Sequence, residues 1–131
     1  MVTAPSEAGV LVAFIAEVGI SFGMMLMVLF ATNTPRLARY TGLFAGLLVA
    51  LYISFESPLS GMSMNPARSL ASALSSGHWT GFWIYLIAPP LGMLLAAQAF
   101  LTWKGRLAVH CAKLHHQNHK RCIFCDYQAG K

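Results

Sequence analysis

The chain has 131 residues, 56% of them hydrophobic and 10% charged, with a formal net charge of +5. Soluble domains average roughly 25% charged residues, so a soluble domain is excluded, and three apolar runs long enough to span a bilayer make this a polytopic membrane protein. The basic balance does not point to nucleic acid, because Arg36 and Arg39 lie between the first two runs and Lys104, Arg106, Lys113, Lys120, Arg121 and Lys131 follow the third.

That placement reads as topology. Cytoplasmic connections of membrane proteins carry excess Lys and Arg. The first connection and the C-terminal tail are therefore expected inside, the N-terminus outside, and anionic lipid head groups are partners for the tail. The N-terminus lacks a basic region before its apolar run, so it is not read as a secretory signal. Met1 to Ala8 reads instead as a cut inside an external loop of a longer parent.

The first span is expected over 8–31. Gly19 and Gly23 form a small-residue face suited to close helix packing. Glu17 is its only acidic residue. Intramembrane carboxylates are costly and usually face the bundle interior, although a Glu near the outer interface can also be reached by water. Thr32 to Pro35 is a turn. The second span is expected over 37–55, with Gly42 and Gly46 as a second small-residue face. Leu59 to Met64 is expected to be extended or irregular, because Pro58 and Gly61 break helix. Irregular backbone survives at membrane depth only where protein buries it or a water-filled cavity meets it. The carbonyls of Gly61, Met62 and Ser63 are thus candidates to line a pore.

Next comes Asn65-Pro66-Ala67-Arg68-Ser69. Asn is a good N-cap, and Pro suits the first helical position, where its missing N–H costs nothing. A half-helix over 66–75 follows, roughly 14 Å long, stopped by Ser75-Ser76-Gly77. It reaches only about halfway across a bilayer core of about 30 Å. A short helix ending near the midplane presents its positive end to a permeant. The third span is expected over 82–103, kinked at Pro89-Pro90, with Trp79, Trp83 and Trp103 near its ends and a third small-residue face at Gly92 and Ala96.

Asn65-Pro66-Ala67-Arg68 between two spans resembles the second NPA box of the aquaporin, or major intrinsic protein, family. Glu17 in the first span and Ala88-Pro89-Pro90-Leu91-Gly92 in the last fit the same pattern. The resemblance covers about residues 8–105. It implies an all-α membrane protein: half of an aquaporin-like fold, with three transmembrane helices and one re-entrant half-helix. The first half, with its own box, is absent from the chain. The resemblance implies that Glu17 holds the backbone of the pore loop. It places the outer selectivity filter at Ile53, Met62 and Arg68, with a fourth member in the missing half. Strict water channels typically carry His and a small residue where Ile53 and Met62 stand. Ser69, Ala73 and Tyr85 resemble water channels, whereas Leu86 is closer to the glycerol branch. The expected function is passive transport of water and small uncharged solutes. A glycerol-type facilitator and a non-conducting truncated fragment remain the alternatives. No cofactor is implied, and no catalytic constellation or phosphate loop is visible. The complete protein is expected to be a homotetramer in a bacterial-type inner or plasma membrane.

Arg68 adds a full charge about one turn after Asn65. Buried unpaired it would be expensive, so carbonyls of Gly61 to Ser63 are its expected partners. Residues 106–131 form a separate cytoplasmic, basic, Cys/His-rich tail, the second unit after residues 1–105, with its Cys and His residues from His110 onward. His115, His119, Cys122 and Cys125 have a spacing that offers four zinc ligands. The spacing is tighter than in common zinc modules, and a basic tail with reduced thiols lying on lipid is the preferred reading.

Overall fold

A computed structural model describes residues 2–105. These residues are all-helical, with no strand among them. The helices are α1 (Val10–Thr32), α2 (Thr41–Phe55, preceded by a 3-10 turn at Ala38–Tyr40), α3 (Ser57–Ser60), α4 (Pro66–Ser76) and α5 (Phe82–Lys104). Three segments are long and apolar enough to cross a membrane: Val10–Thr32, Ala38–Phe55 and Phe82–Lys104, with mean hydropathies of 2.2, 1.4 and 1.8. At 1.5 Å per residue, the 23 residues of α1 and of α5 each cover about 35 Å.

The core lies between α1 and α5. Ala13, Ile84, Tyr85 and Ala88 are fully buried, with Phe14 and Val18 packed against them. Small residues set the spacing: a Cβ on Gly92 would lie 2.4 Å from the Val18 carbonyl oxygen and 3.1 Å from the Phe22 nitrogen. At the far end Phe30 packs edge-on against Phe100 and Trp103, with centroids 5.1 Å away in both cases. α5 runs through Pro89 and Pro90 without interruption. α2 contributes no buried residue. A Cβ on Gly42 or Gly46 would meet nothing within 4 Å, and the same holds for Gly19. The two small-residue faces thus differ in use: Gly23 sits against the Tyr52 hydroxyl of α2, while a Cβ at Gly42 or Gly46 would enter open space, Gly42 on the wall of a cavity it shares with Val28 and Thr32 of α1.

One expectation needs correction. Leu59 and Ser60 are helical, part of the single turn α3, and irregular backbone begins at Gly61. Pro58 occupies the first turn of α3, where a missing N–H costs nothing, so it starts the turn instead of breaking it. Gly61 ends the turn in the left-handed conformation, φ 76°, its N–H bonded to the Ser57 carbonyl.

Residues 2–9 lie across this loop. The Thr3 N–H donates to Ser72 Oγ at 3.1 Å, and the Ser6 N–H donates to the Leu59 carbonyl at 3.2 Å. The approach is close enough that a Cβ on Gly61 would sit 2.6 Å from the Val2 carbonyl oxygen. The N-terminal segment and the loop therefore form one packed unit on the half-helix.

Candidate functional site

The site is built where α1, α3, α4 and α5 converge on the segment Gly61–Asn65. Short local rules form α4. Asn65 is in extended conformation and its side-chain oxygen accepts from the Ala67 N–H at 2.8 Å. Pro66 follows in the first turn, and Gly77 closes the helix with φ 71°. The eleven residues of α4 cover about 16 Å, half of a bilayer core. Ser63 joins the loop to the helix. Its Oγ donates to the Asn65 carbonyl at 2.8 Å or shares a hydrogen with Ser69 Oγ at 2.6 Å, and it accepts from the Asn65 N–H at 3.3 Å.

Glu17 is the anchor of the loop. It is fully buried in α1. Its Oε1 accepts from the Ser63 N–H at 2.6 Å and its Oε2 from the Met64 N–H at 2.8 Å. Both donors sit beside unusual backbone, since Met62 and Met64 have φ of 48° and 51°. Non-glycine residues in that region carry a strain of about 1–3 kcal/mol each. Charge-assisted bonds from two consecutive N–H groups to one carboxylate offset it. The sequence marks such a carboxylate only as an acidic residue inside an apolar run. Its partners, 46 and 47 positions away, are visible only in three dimensions.

The remaining residues separate into an open and a covered set. Asn65 and Arg68 are exposed on the half-helix, and Ile53 is 49% exposed on α2. Met62 is only 4% exposed. Arg68 Nη1 donates to the Gly61 carbonyl at 3.4 Å, a long bond, and lies 3.9 Å from Met62 Sδ. The guanidinium is thus drawn back over the loop, with Met62 packed beneath it. Pro66 and Ala67 complete the box at the positive end of α4.

Two participants, Glu56 and Ser60, escaped sequence reasoning. Ser60 Oγ lies 2.6 Å from Glu17 Oε1, is in hydrogen-bond contact with Glu56 Oε1, and accepts from the Met62 N–H at 3.2 Å. The Tyr85 hydroxyl donates to the Ser60 carbonyl at 2.6 Å. The only available signal was Glu56 four residues before Ser60, one helical turn apart on a common face. Burial pushes the Glu56 carboxyl above the ordinary carboxylate range. The Ser60 hydrogen bond opposes this, the charge of Glu17 adds to it, and Arg68 opposes it. The arrangement presents the positive end of α4 and the Arg68 guanidinium beside a fixed, irregular backbone. Among the described residues no three His, Cys, Asp or Glu side chains gather around a common point. The candidate zinc set His115, His119, Cys122 and Cys125 lies outside the described residues.

The chain is similar to known proteins over most of its length. The profile described as "Major intrinsic protein" matches residues 1–100. Among curated proteins, the chain is 39% identical over 95 residues to aquaporin NIP3-1 of Zea mays, covering 72% of this chain and 32% of that protein. It is 44% identical over 86 residues to aquaporin NIP2-1 of Arabidopsis thaliana, covering 65% and 30%. It is 40% identical over 85 residues to aquaporin NIP1-2 of Oryza sativa subsp. japonica, covering 64% and 28%. The chain thus spans less than a third of the length of these relatives.

Proposed function

The chain belongs to the major intrinsic protein family, and on that premise we propose that it supplies the second, NPA-bearing half of a channel for water and small uncharged solutes. It is a multi-pass integral membrane protein with three helices able to span. The observation that carries the reading is the Glu17-anchored loop leading into an Asn-capped half-helix. This joins a fixed irregular backbone to a positive helix end, the two parts from which channels build a filter.

In this reading Asn65 caps α4 through its oxygen and turns its amide nitrogen to passing solute oxygens. The helix end disfavours cations and hydronium. Arg68 supplies donors at the narrow outer ring, beside Ile53 and Met62, and the carbonyls of Gly61, Met62 and Ser63 line the path. Ile53 and Met62 carry no donors, so the ring is more apolar than in a strict water channel, which favours admission of small neutral solutes beside water. The wall opposite comes from a first-half repeat. The exposed length of α2 and the uncovered end of α4 support such a partner, and the complete protein is a homotetramer. The N-terminus faces outward and the tail the cytoplasm, an orientation that the Arg and Lys placement supports. Cysteine labelling at Ala4 and Gly130 from opposite sides of the membrane checks this orientation; labelling of both from one side contradicts it.

The test of the filter uses Arg68→Val in a complete channel carrying this half. Neutral solutes larger than water should pass more readily. The cation barrier should weaken without vanishing, because the dipole at Asn65 remains, an effect of up to about 2 kcal/mol in favourable geometry. Unchanged water, glycerol and cation fluxes at matched surface expression would remove Arg68 from the filter.

A further inference from the structure

The hydrogen-bond chain Glu56–Ser60–Glu17 has one hydrogen too few if both carboxyl groups are ionised. Ser60 Oγ carries a single hydrogen, yet it lies within hydrogen-bond distance of Glu17 Oε1 and of Glu56 Oε1. It cannot donate to both. One carboxyl must donate to Ser60, which then donates onward. Glu17 is not that donor, because both its oxygens already accept backbone N–H groups, from Ser63 and Met64. Glu56 receives no backbone N–H, and its Oε2 is buried without a hydrogen-bond partner among the described residues. A buried carboxylate oxygen with no donor is costly, whereas the carbonyl oxygen of a neutral acid tolerates it far better. Glu56 is 7% exposed and Ser60 fully buried, so water does not reach the pair freely.

We propose that Glu56 is a neutral carboxylic acid in the folded chain and acts as a positioning residue for the pore loop, donating to Ser60 Oγ so that Ser60 can donate to Glu17. The proton sits on Glu56, Ser60 relays the polarity, and Glu17 keeps the negative charge that gathers the Ser63 and Met64 N–H groups. The Met62 N–H bound to Ser60 Oγ belongs to the same device, which thereby sets three consecutive backbone donors ahead of Asn65. The groups facing Glu56 are Glu17 from α1, Ser60 from its own turn α3, and Arg68 from α4. Tyr85 of α5 joins them through the Ser60 carbonyl. Desolvation of Glu56 supports the same assignment. The inference rests on these bonds and not on whether the chain conducts.

The test is infrared spectroscopy of the full chain in lipid vesicles at neutral pH, with thermal unfolding of the same samples. The chain has four acidic residues. The wild type should show the carbonyl stretch of a protonated carboxylic acid, and Glu56→Gln should lose it. Gln keeps a donor toward Ser60, so Glu56→Gln should unfold at the wild-type temperature, whereas Glu56→Ala should unfold lower. Because folding favours the protonated form, Glu56 stabilises the chain most fully below the ordinary carboxylate value. That contribution is lost as pH rises through the raised value in the folded chain. Wild-type stability should therefore fall over that rise, and the fall should be absent in Glu56→Gln. A wild type without the acid band, or a band that survives in Glu56→Gln, overturns the inference. So does a Glu56→Gln chain that unfolds like Glu56→Ala, since an amide donor would then fail to replace the acid.

Discussion

α5 and α2 are both apolar helices carrying small residues at four-residue spacing, yet they sit in opposite circumstances. Gly92 of α5 is pressed against α1, with the Val18 carbonyl where a Gly92 side chain would begin, and Ala96 is fully buried. A Cβ at Gly42 or Gly46 of α2 would meet nothing within 4 Å, and no residue of α2 is buried. In a bilayer, lipid solvates an apolar helix as well as another helix does, so small residues permit close packing without compelling it. What decides is whether a partner surface of matching shape is present. For α2, the proposed first-half repeat is that surface.

The largest effect is expected where the packed region holds polar groups. Glu17→Ala leaves the Ser63 and Met64 N–H groups and the Ser60 hydroxyl without their acceptor. At about 1–3 kcal/mol for each buried orphan, the loss should exceed roughly 2 kcal/mol. Thermal unfolding in detergent micelles should show it, with cysteine labelling at Met64 becoming rapid. If stability is unchanged, Glu17 does not anchor the loop.

The comparison itself is sharpened by placing the same change on each side. Gly92→Ala drives a methyl into the α1 backbone and should cost about 1–3 kcal/mol, the usual range for overpacking. Gly42→Ala and Gly46→Ala should leave this chain as stable as before or slightly firmer, since Ala favours helix over Gly by up to about 1 kcal/mol. In a complete channel the α2 pair should instead weaken assembly, read as a shift from the proposed tetramer to smaller species on native gels. Equal effects at Gly92 and Gly42 in the isolated chain would erase the distinction.

A smaller effect is expected at the half-helix. Asn65→Ala removes the bond to the Ala67 N–H and should cost about 0.5–2 kcal/mol. Misfolding should precede any change in selectivity, which separates Asn65 from Arg68. Surface expression and flux measured on the same cells check the order.

How far the sequence alone reached follows the same division. Elements set by neighbours in the chain were legible. The three spans show in hydropathy, and the start of α4 shows in Asn65-Pro66, because a cap and an N-terminal proline act within one turn. Elements set by distant contacts were not. Pro58 read as a breaker because nothing local shows that Ser57–Ser60 closes into a turn under Tyr85. Glu56 gave no signal of its own because its partners belong to a buried cluster assembled from α1, α3 and α5. The exposure of α2 was equally hidden, since its small-residue pattern matches that of a packed helix.

The most direct measurement is stopped-flow light scattering of proteoliposomes, comparing the 131-residue chain alone with the same half joined to a first-half repeat. Among the described residues α2 has an open face and there is one half-helix, so in the proposed reading one wall of the pore lacks protein, and polar groups cannot face lipid. The chain alone should give no water flux above empty vesicles, and the joined form should give a flux of low activation energy. A low-activation-energy flux from the chain alone, equal to that of the joined form, would contradict the assignment of this chain as half of a pore.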